Sequence, residues 1–354
     1  MLEHGGRLGR AAARHGIARE RWLDLSTGVS PYAWPVPPIP ADAWHRLPED
    51  DDELLPAARA YYGCEHLLPV AGSQAAIAAL PRLRGPSRVA VIAPAYAEHA
   101  HAWRTAGHDV ATPSLAELRE RTAAFDVVVL IRPNNPTGEC LSRDEVLTLR
   151  NAVWEARSRA TGARGKHPSR ASALPTKAGS SFNAAPWFIV DEAFIDVRPE
   201  ESLVPDARDG LIVLRSVGKF FGLAGARAGF VAACPTILDA LAEEIGPWTL
   251  SGPARHVVAR ALGDGVWQAS ARESLRRDSA RLAALLTAHG LTPAGGCEFF
   301  QYVRHDNAAA IADALCRRAV LVRVFDEPSA LRFGLPGDEA NIARLDRVLT
   351  AVLA

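Results

Sequence analysis

The chain has 354 residues, 48% of them hydrophobic, enough for one large core or for a large and a small domain sharing an interface. Lys plus Arg and Asp plus Glu number 40 each, so the formal net charge is zero and the basic excess of a nucleic-acid binder is missing. No stretch approaches the roughly 18 apolar residues of a membrane span, and the opening MLEHGGRLGRAAARHG offers no apolar run for a signal sequence, so no membrane and no nucleic-acid partner is expected.

Residues 1–40 are rich in Gly and Pro and read as an irregular arm. From about Leu54, helical stretches alternate with short apolar runs at Val89–Ile92, Val127–Ile131, Phe188–Val190 and Leu211–Leu214. Each run is rich in Val, Ile and Leu and is followed by polar or Pro/Gly residues, the pattern of buried parallel strands. Helix-like stretches such as Ser142–Ala156 separate them, which predicts an α/β sheet with crossover helices. Residues 157–185 break the pattern, being short of large apolar residues and rich in Ser, Arg, Gly and Ala, and read as a solvent-exposed mobile insertion. After about Pro235 the sequence turns helical, with a good helical stretch at Asp278–His289, and strand-like pieces at Val320–Val324 and Ala330–Phe333 precede a closing helix. The expected division is an arm at 1–40 joining the small domain, a large domain at 41–247 and a small α+β domain at 248–354.

Five cysteines, Cys64, Cys140, Cys234, Cys297 and Cys316, lie far apart without paired spacing. They read as reduced thiols of a cytosolic protein, not as a disulfide or zinc framework. His99 and His101 are one residue apart, and no further ligand set lies near them in sequence, so no metal site is expected.

In open α/β sheets, ligands bind beyond the carboxyl ends of the strands. The residues just after each apolar run are Ala93-Pro94-Ala95-Tyr96, Arg132-Pro133-Asn134-Asn135-Pro136-Thr137-Gly138, Asp191-Glu192-Ala193-Phe194 and Arg215-Ser216-Val217-Gly218-Lys219. One rim thus gathers an aromatic ring, an amide, a carboxylate, a hydroxyl and an amine. The stretch Ser216–Gly229 lacks a proper GxGxxG and carries Lys and Arg instead, so a dinucleotide site is a poor reading. Gly72-Ser73-Gln74 follows an apolar segment and opens a helix, where backbone N–H groups and the helix dipole suit a phosphate.

In this order and spacing the motifs resemble the aspartate aminotransferase superfamily of pyridoxal 5'-phosphate (PLP) enzymes, with Ser216-Val217-Gly218-Lys219 running on to Arg227 and Gly229 as the most specific stretch. The resemblance covers nearly the whole chain outside 157–185. It implies an α/β PLP-dependent transferase-like fold with a mostly parallel large-domain sheet. Lys219 would bond to the cofactor aldehyde and then carry the proton. Asp191 would face the pyridine nitrogen and keep it protonated, so that the ring withdraws electrons well. Tyr96 would stack on the ring and Asn135 would bond its 3'-oxygen. Gly72, Ser73, Gln74, Ser216 and Arg227 would hold the cofactor phosphate, and Arg332 would grip the substrate carboxylate, with Asn135 beside it.

Within the superfamily, His4-Gly5-Gly6, the stretch LDLSTGVSP at 23–31 with Gly28, Arg46-Leu47-Pro48-Glu49, the stretch PAYAEH at 94–99 and DEAFID at 191–196 resemble the L-threonine-O-3-phosphate decarboxylases. That branch is close to the histidinol-phosphate aminotransferases. It makes (R)-1-amino-2-propanol O-2-phosphate for cobalamin biosynthesis, and its His-Gly-Gly loop approaches the substrate phosphate. Here His4, Gly5, Gly6 and Gly28 would line that side of the substrate. Two positions depart from the aminotransferase pattern: Phe194 stands where Tyr is usual, and Leu47 stands where a Tyr often reaches the partner subunit's cofactor phosphate. The resemblance implies a cytoplasmic homodimer acting on a small phosphorylated amino acid. An aminotransferase for a compound such as histidinol phosphate remains the alternative enzyme, and a non-enzymatic subunit that kept the fold is the third class.

Overall fold

The computed structural model describes residues 5–160, Phe182 and 185–353. Among them the strands, in chain order, are β1 Leu23–Leu25, β2 Leu67–Val70, β3 Arg88–Val91, β4 Asp109–Ala111, β5 Val127–Ile131, β6 Trp187–Asp191, β7 Leu211–Ser216, β8 Gly229–Ala232, β9 Gly295–Cys297, β10 Phe300–Arg304, β11 Val320–Phe325 and β12 Ala330–Gly334. Seven form one sheet in the order β2-β8-β7-β6-β5-β3-β4, and five form a second in the order β1-β11-β12-β10-β9.

In the larger sheet β4, β3, β5, β6 and β7 run parallel, and β8 pairs antiparallel with both β7 and β2. The apolar runs become strands because every residue of β5 and β6 is buried. Their side chains alternate between two cores. Val128, Leu130, Phe188 and Val190 point to one, while Val127, Val129, Trp187 and Ile189 point to the other. Helices such as Ala97–Thr105 and Arg143–Ala160 make the crossovers. The helix expected to end at Ala156 runs on to Ala160, and the rest of the insertion expected at 157–185 lies largely outside the described residues. The larger core continues into the second sheet through Phe299, Phe300, Leu331, Phe333 and Leu345. Three helices, Pro235–Ile245, Gly252–Gly263 and Gly265–Ala288, join the two parts.

The arm is irregular only in part, which corrects the sequence reading. Leu8–His15 is a helix closed by Gly16 in the left-handed conformation (φ 63°). β1 then pairs in parallel with β11, Leu23 opposite Val320. An alanine-rich turn between glycines is a weak local signal, and a three-residue strand takes its identity from a partner almost at the far end of the chain. Among the described residues no helix is long and apolar enough to cross a membrane.

Candidate active site

The order of the parallel strands reverses between β3 and β5, and the crevice beyond their carboxyl ends is where such sheets bind ligands. A cavity of about 380 Å³ lies there. Gly5, Gly28, Gly72, Ser73, Gln74, Tyr96, Asn135, Asp191, Ser216, Lys219, Arg227 and Arg332 all line it, so residues scattered from the arm to the small sheet converge on one space. His4 lies outside the described residues. Gly6 is exposed, and its amide donates to Ser26 Oγ at 2.8 Å, so this amide is already engaged within the loop.

Lys219 follows β7 on the one-turn helix Val217–Phe220. Its amine has no hydrogen-bond or ion-pair partner among the described residues; the Phe194 ring is 5.9 Å away. Burial and the charge of Arg332 push the Lys219 ammonium below the ordinary lysine range, with Asp191 opposing the shift. The arm is fastened to this turn: the Ser30 amide donates to the Lys219 carbonyl and the Trp34 amide to that of Phe221, each at 2.9 Å.

Asp191 ends β6 and is buried. Its Oδ1 accepts from the Ala193 amide at 3.1 Å and its Oδ2 sits 3.0 Å from His99 Nε2, which donates to the carboxylate. His99 is itself buried, one turn from Tyr96, with the two rings edge to face. The sequence reading gave His99 no role. The i, i+3 spacing from Tyr96 was the available signal, but it names no partner. Tyr96 donates to Gln74 Oε1 at 3.3 Å, and its phenol is pushed up to about 12, chiefly by burial.

The Gly72–Gln74 turn lies against Arg227. A Cβ on Gly72, whose φ is +74°, would stand 2.8 Å from Arg227 Nη2, and one on Gly229 would stand 2.8 Å from the Ser73 nitrogen. Bare backbone, a hydroxyl at Ser216 and the Arg227 guanidinium therefore meet at the start of the helix Ser73–Ala79.

At the opposite wall Arg332 is buried in β12. Its Nη1 donates to Asn135 Oδ1 at 2.5 Å and its Nη2 to the Ser26 carbonyl at 2.9 Å, while Nε is buried without a partner among the described residues. Burial pushes its guanidinium down to about 10. A second arginine, Arg323 of β11, also lines the cavity and stands directly opposite Arg332 in the strand register. Sequence reasoning missed Arg323, since the strand was legible but its partner and register were not. Gly28 is required by crowding, because a Cβ there would stand 2.9 Å from Phe194 and 3.1 Å from Phe300.

Behind the rim, Glu192 accepts from Arg132, Arg215 and Ser202, and Arg215 also reaches Asp196. This buried ion cluster anchors the ends of β5, β6 and β7. Leu47 is 64% exposed and does not line the cavity.

The donor set fits a ring aldehyde carrying a phosphate: an unpartnered amine beside a fixed carboxylate, and a glycine cradle with an arginine. Residues 183–349 match the family model for aminotransferase class I and II. The chain is 49% identical to the threonine-phosphate decarboxylase of Pseudomonas aeruginosa, over 99% of this chain and 97% of that protein. It is 39% identical to that of Sinorhizobium sp, over 97% and 96%. The solved histidinol-phosphate aminotransferase of Sinorhizobium meliloti in complex with pyridoxal-5'-phosphate superposes with a TM-score of 0.77 at 18% identity, covering 99% of this chain and 95% of its own.

Proposed function

The chain belongs to the threonine-phosphate decarboxylase family of PLP enzymes, and from that membership we propose that it removes the carboxyl group of L-threonine O-3-phosphate. The product would be (R)-1-amino-2-propanol O-2-phosphate, a linker for cobalamin biosynthesis. The observation that carries this reading is the facing pair Arg323 and Arg332 in the cavity that also holds Lys219 and Asp191. A substrate with two anionic groups, a carboxylate and a phosphate, matches two guanidinium groups at one wall.

PLP, when bound, supplies an electron-withdrawing ring conjugated with the substrate α-carbon. Lys219 would hold the cofactor at its aldehyde carbon, and its amine is placed to carry a proton to the substrate α-carbon. Asp191, fixed by His99 and the Ala193 amide, holds the proton on the ring nitrogen. Tyr96 covers the ring face. Asn135 turns Oδ1 to Arg332 and so leaves Nδ2 for the ring oxygen; Phe194 offers that oxygen no hydroxyl. Gly72, Ser73, Gln74, Ser216 and Arg227 hold the cofactor phosphate. Arg332 takes the substrate carboxylate, and Arg323 with the Gly5 backbone takes its phosphate. The phosphate does not react, so its binding energy is available to orient the scissile bond.

Incubating the PLP-loaded protein with L-threonine O-3-phosphate tests this. Carbon dioxide and the phosphorylated amine are expected in equal amounts. A keto product with accumulation of the pyridoxamine form of the cofactor would instead establish the aminotransferase alternative.

A homodimer is part of the same reading. Trp44, Leu47 and Trp248 are 65%, 64% and 61% exposed. The helix Gly252–Gly263 starts against the carbonyl of Ala43, which brings the segment that carries Trp248 to the one that carries Trp44 and Leu47. An exposed apolar patch of this kind is suited to a second copy of the chain. Five unpaired cysteines favour a reducing, cytoplasmic compartment.

A further inference from the structure

A second cleft, of about 480 Å³, opens at the seam between the arm and the small sheet and is lined by Ile17, Arg21, Arg317, Arg318, Ala319 and Arg344. We propose that it is a binding site for a ligand carrying a pyrophosphate group, such as a nucleoside di- or triphosphate.

Four guanidinium groups converge there. Arg317 pairs with Asp313 at 2.6 Å. Among the described residues no carboxylate lies within ion-pair distance of Arg21, Arg318 or Arg344, so three positive charges face the cleft without a counter-charge. Arg318 donates to the carbonyls of Ala314 and Ala351, and cations at helix carboxyl ends are ordinary capping groups. That explanation covers Arg317 and Arg318. It does not cover Arg21, which is on the arm, nor Arg344, which comes from the middle of the helix Glu339–Leu353. Arg344 Nη2 donates to the carbonyls of Arg21 at 2.7 Å and Ala319 at 3.0 Å, which holds two segments remote in sequence together and fixes its fork at the cleft.

Guanidinium forks match phosphate oxygens bidentately, and an uncompensated cluster of like charge raises the local concentration of anions. Three free charges and the size of the cleft suit two adjacent phosphates better than one. Ile17 and Ala319 give an apolar wall for an organic group. The cleft is distinct from the catalytic cavity: it sits at the amino end of β11, beside Ala319, whereas Arg323 enters the cavity further along the strand.

The test is calorimetric titration of the PLP-loaded protein with sodium pyrophosphate, repeated on Arg21→Gln/Arg317→Gln and on Arg323→Gln. A saturable event is expected in the parent protein. It should weaken by about tenfold or more in the double variant, as loss of charge-assisted contacts requires, and persist in Arg323→Gln. The proposal is overturned if the double variant binds as the parent does, if binding does not saturate, or if it is Arg323→Gln that removes it, since the anion would then occupy the catalytic cavity. Should the double variant fail to fold, the exposed single change Arg21→Gln carries the same test, with an expected loss of about threefold or more.

Discussion

Residue by residue, the site sets one unpartnered amine, Lys219, among side chains that are mostly anchored before any ligand arrives. Lys219 must be a free amine to react with an aldehyde, and burial and Arg332 both favour that form. Uptake of PLP by the cofactor-free protein should therefore rise with pH through a midpoint below that of an ordinary lysine. Removing the neighbouring positive charge in Arg332→Gln makes the ammonium less unfavourable, raises the lysine pKa and should move the midpoint to higher pH. Stopped-flow absorbance reads the shift, and borohydride reduction with peptide mapping should place the label on Lys219; an unmoved midpoint would rule out the coupling. His99 touches Asp191 rather than substrate, so it is a positioning residue. In His99→Phe the loss of one charge-assisted hydrogen bond, about 1.5–3 kcal/mol, should lower kcat by about 10- to 150-fold with KM little changed. His99→Asn should recover part of the loss. An unchanged kcat would mean that the Ala193 amide alone orients Asp191.

At the level of strands and helices, the three ends of β5, β6 and β7 are locked by the ion cluster beneath the rim. Arg215 bonds Glu192 at 3.0 Å and Asp196 at 2.5 Å. Arg215→Met should destabilise the protein by about 3 kcal/mol, at the low end for a broken buried pair because Arg132 and Tyr61 still serve the two carboxylates. A denaturant midpoint shifted by well under 1 kcal/mol would show that the cluster relaxes. β5, β6 and β7 were legible in the sequence, since strands buried on both faces are continuous apolar runs and the chemistry follows each run directly. β1, β9 and the pairing of β11 with β12 were not legible. They are short or polar segments defined by partners far away in the chain, and so Arg323 was invisible although Arg332 was not. The cradle at Gly72 was readable for the opposite reason, since its glycine, serine and helix start are contiguous.

For the molecule as a whole, one core runs from the large sheet into the small one, and the catalytic cavity lies between them. The exposed patch of Trp44 and Trp248 should hold two copies together, so Trp44→Glu/Trp248→Glu should sediment as a monomer with unchanged secondary structure. A double variant that keeps the parent's sedimentation coefficient would remove this patch from the interface. The pairing of β1 with β11 has a further consequence in time. A strand that precedes its partner by 297 residues, Leu23 to Val320, cannot pair until those residues have left the ribosome, which at about 5–20 residues per second takes roughly 15 to 60 s. Throughout that interval Trp22, Leu23 and Leu25, all buried in the finished protein, have no sheet to join. The nascent arm is thus a stretch for a holding chaperone, and the wall that carries Arg332 and Ser26 is assembled only after that interval.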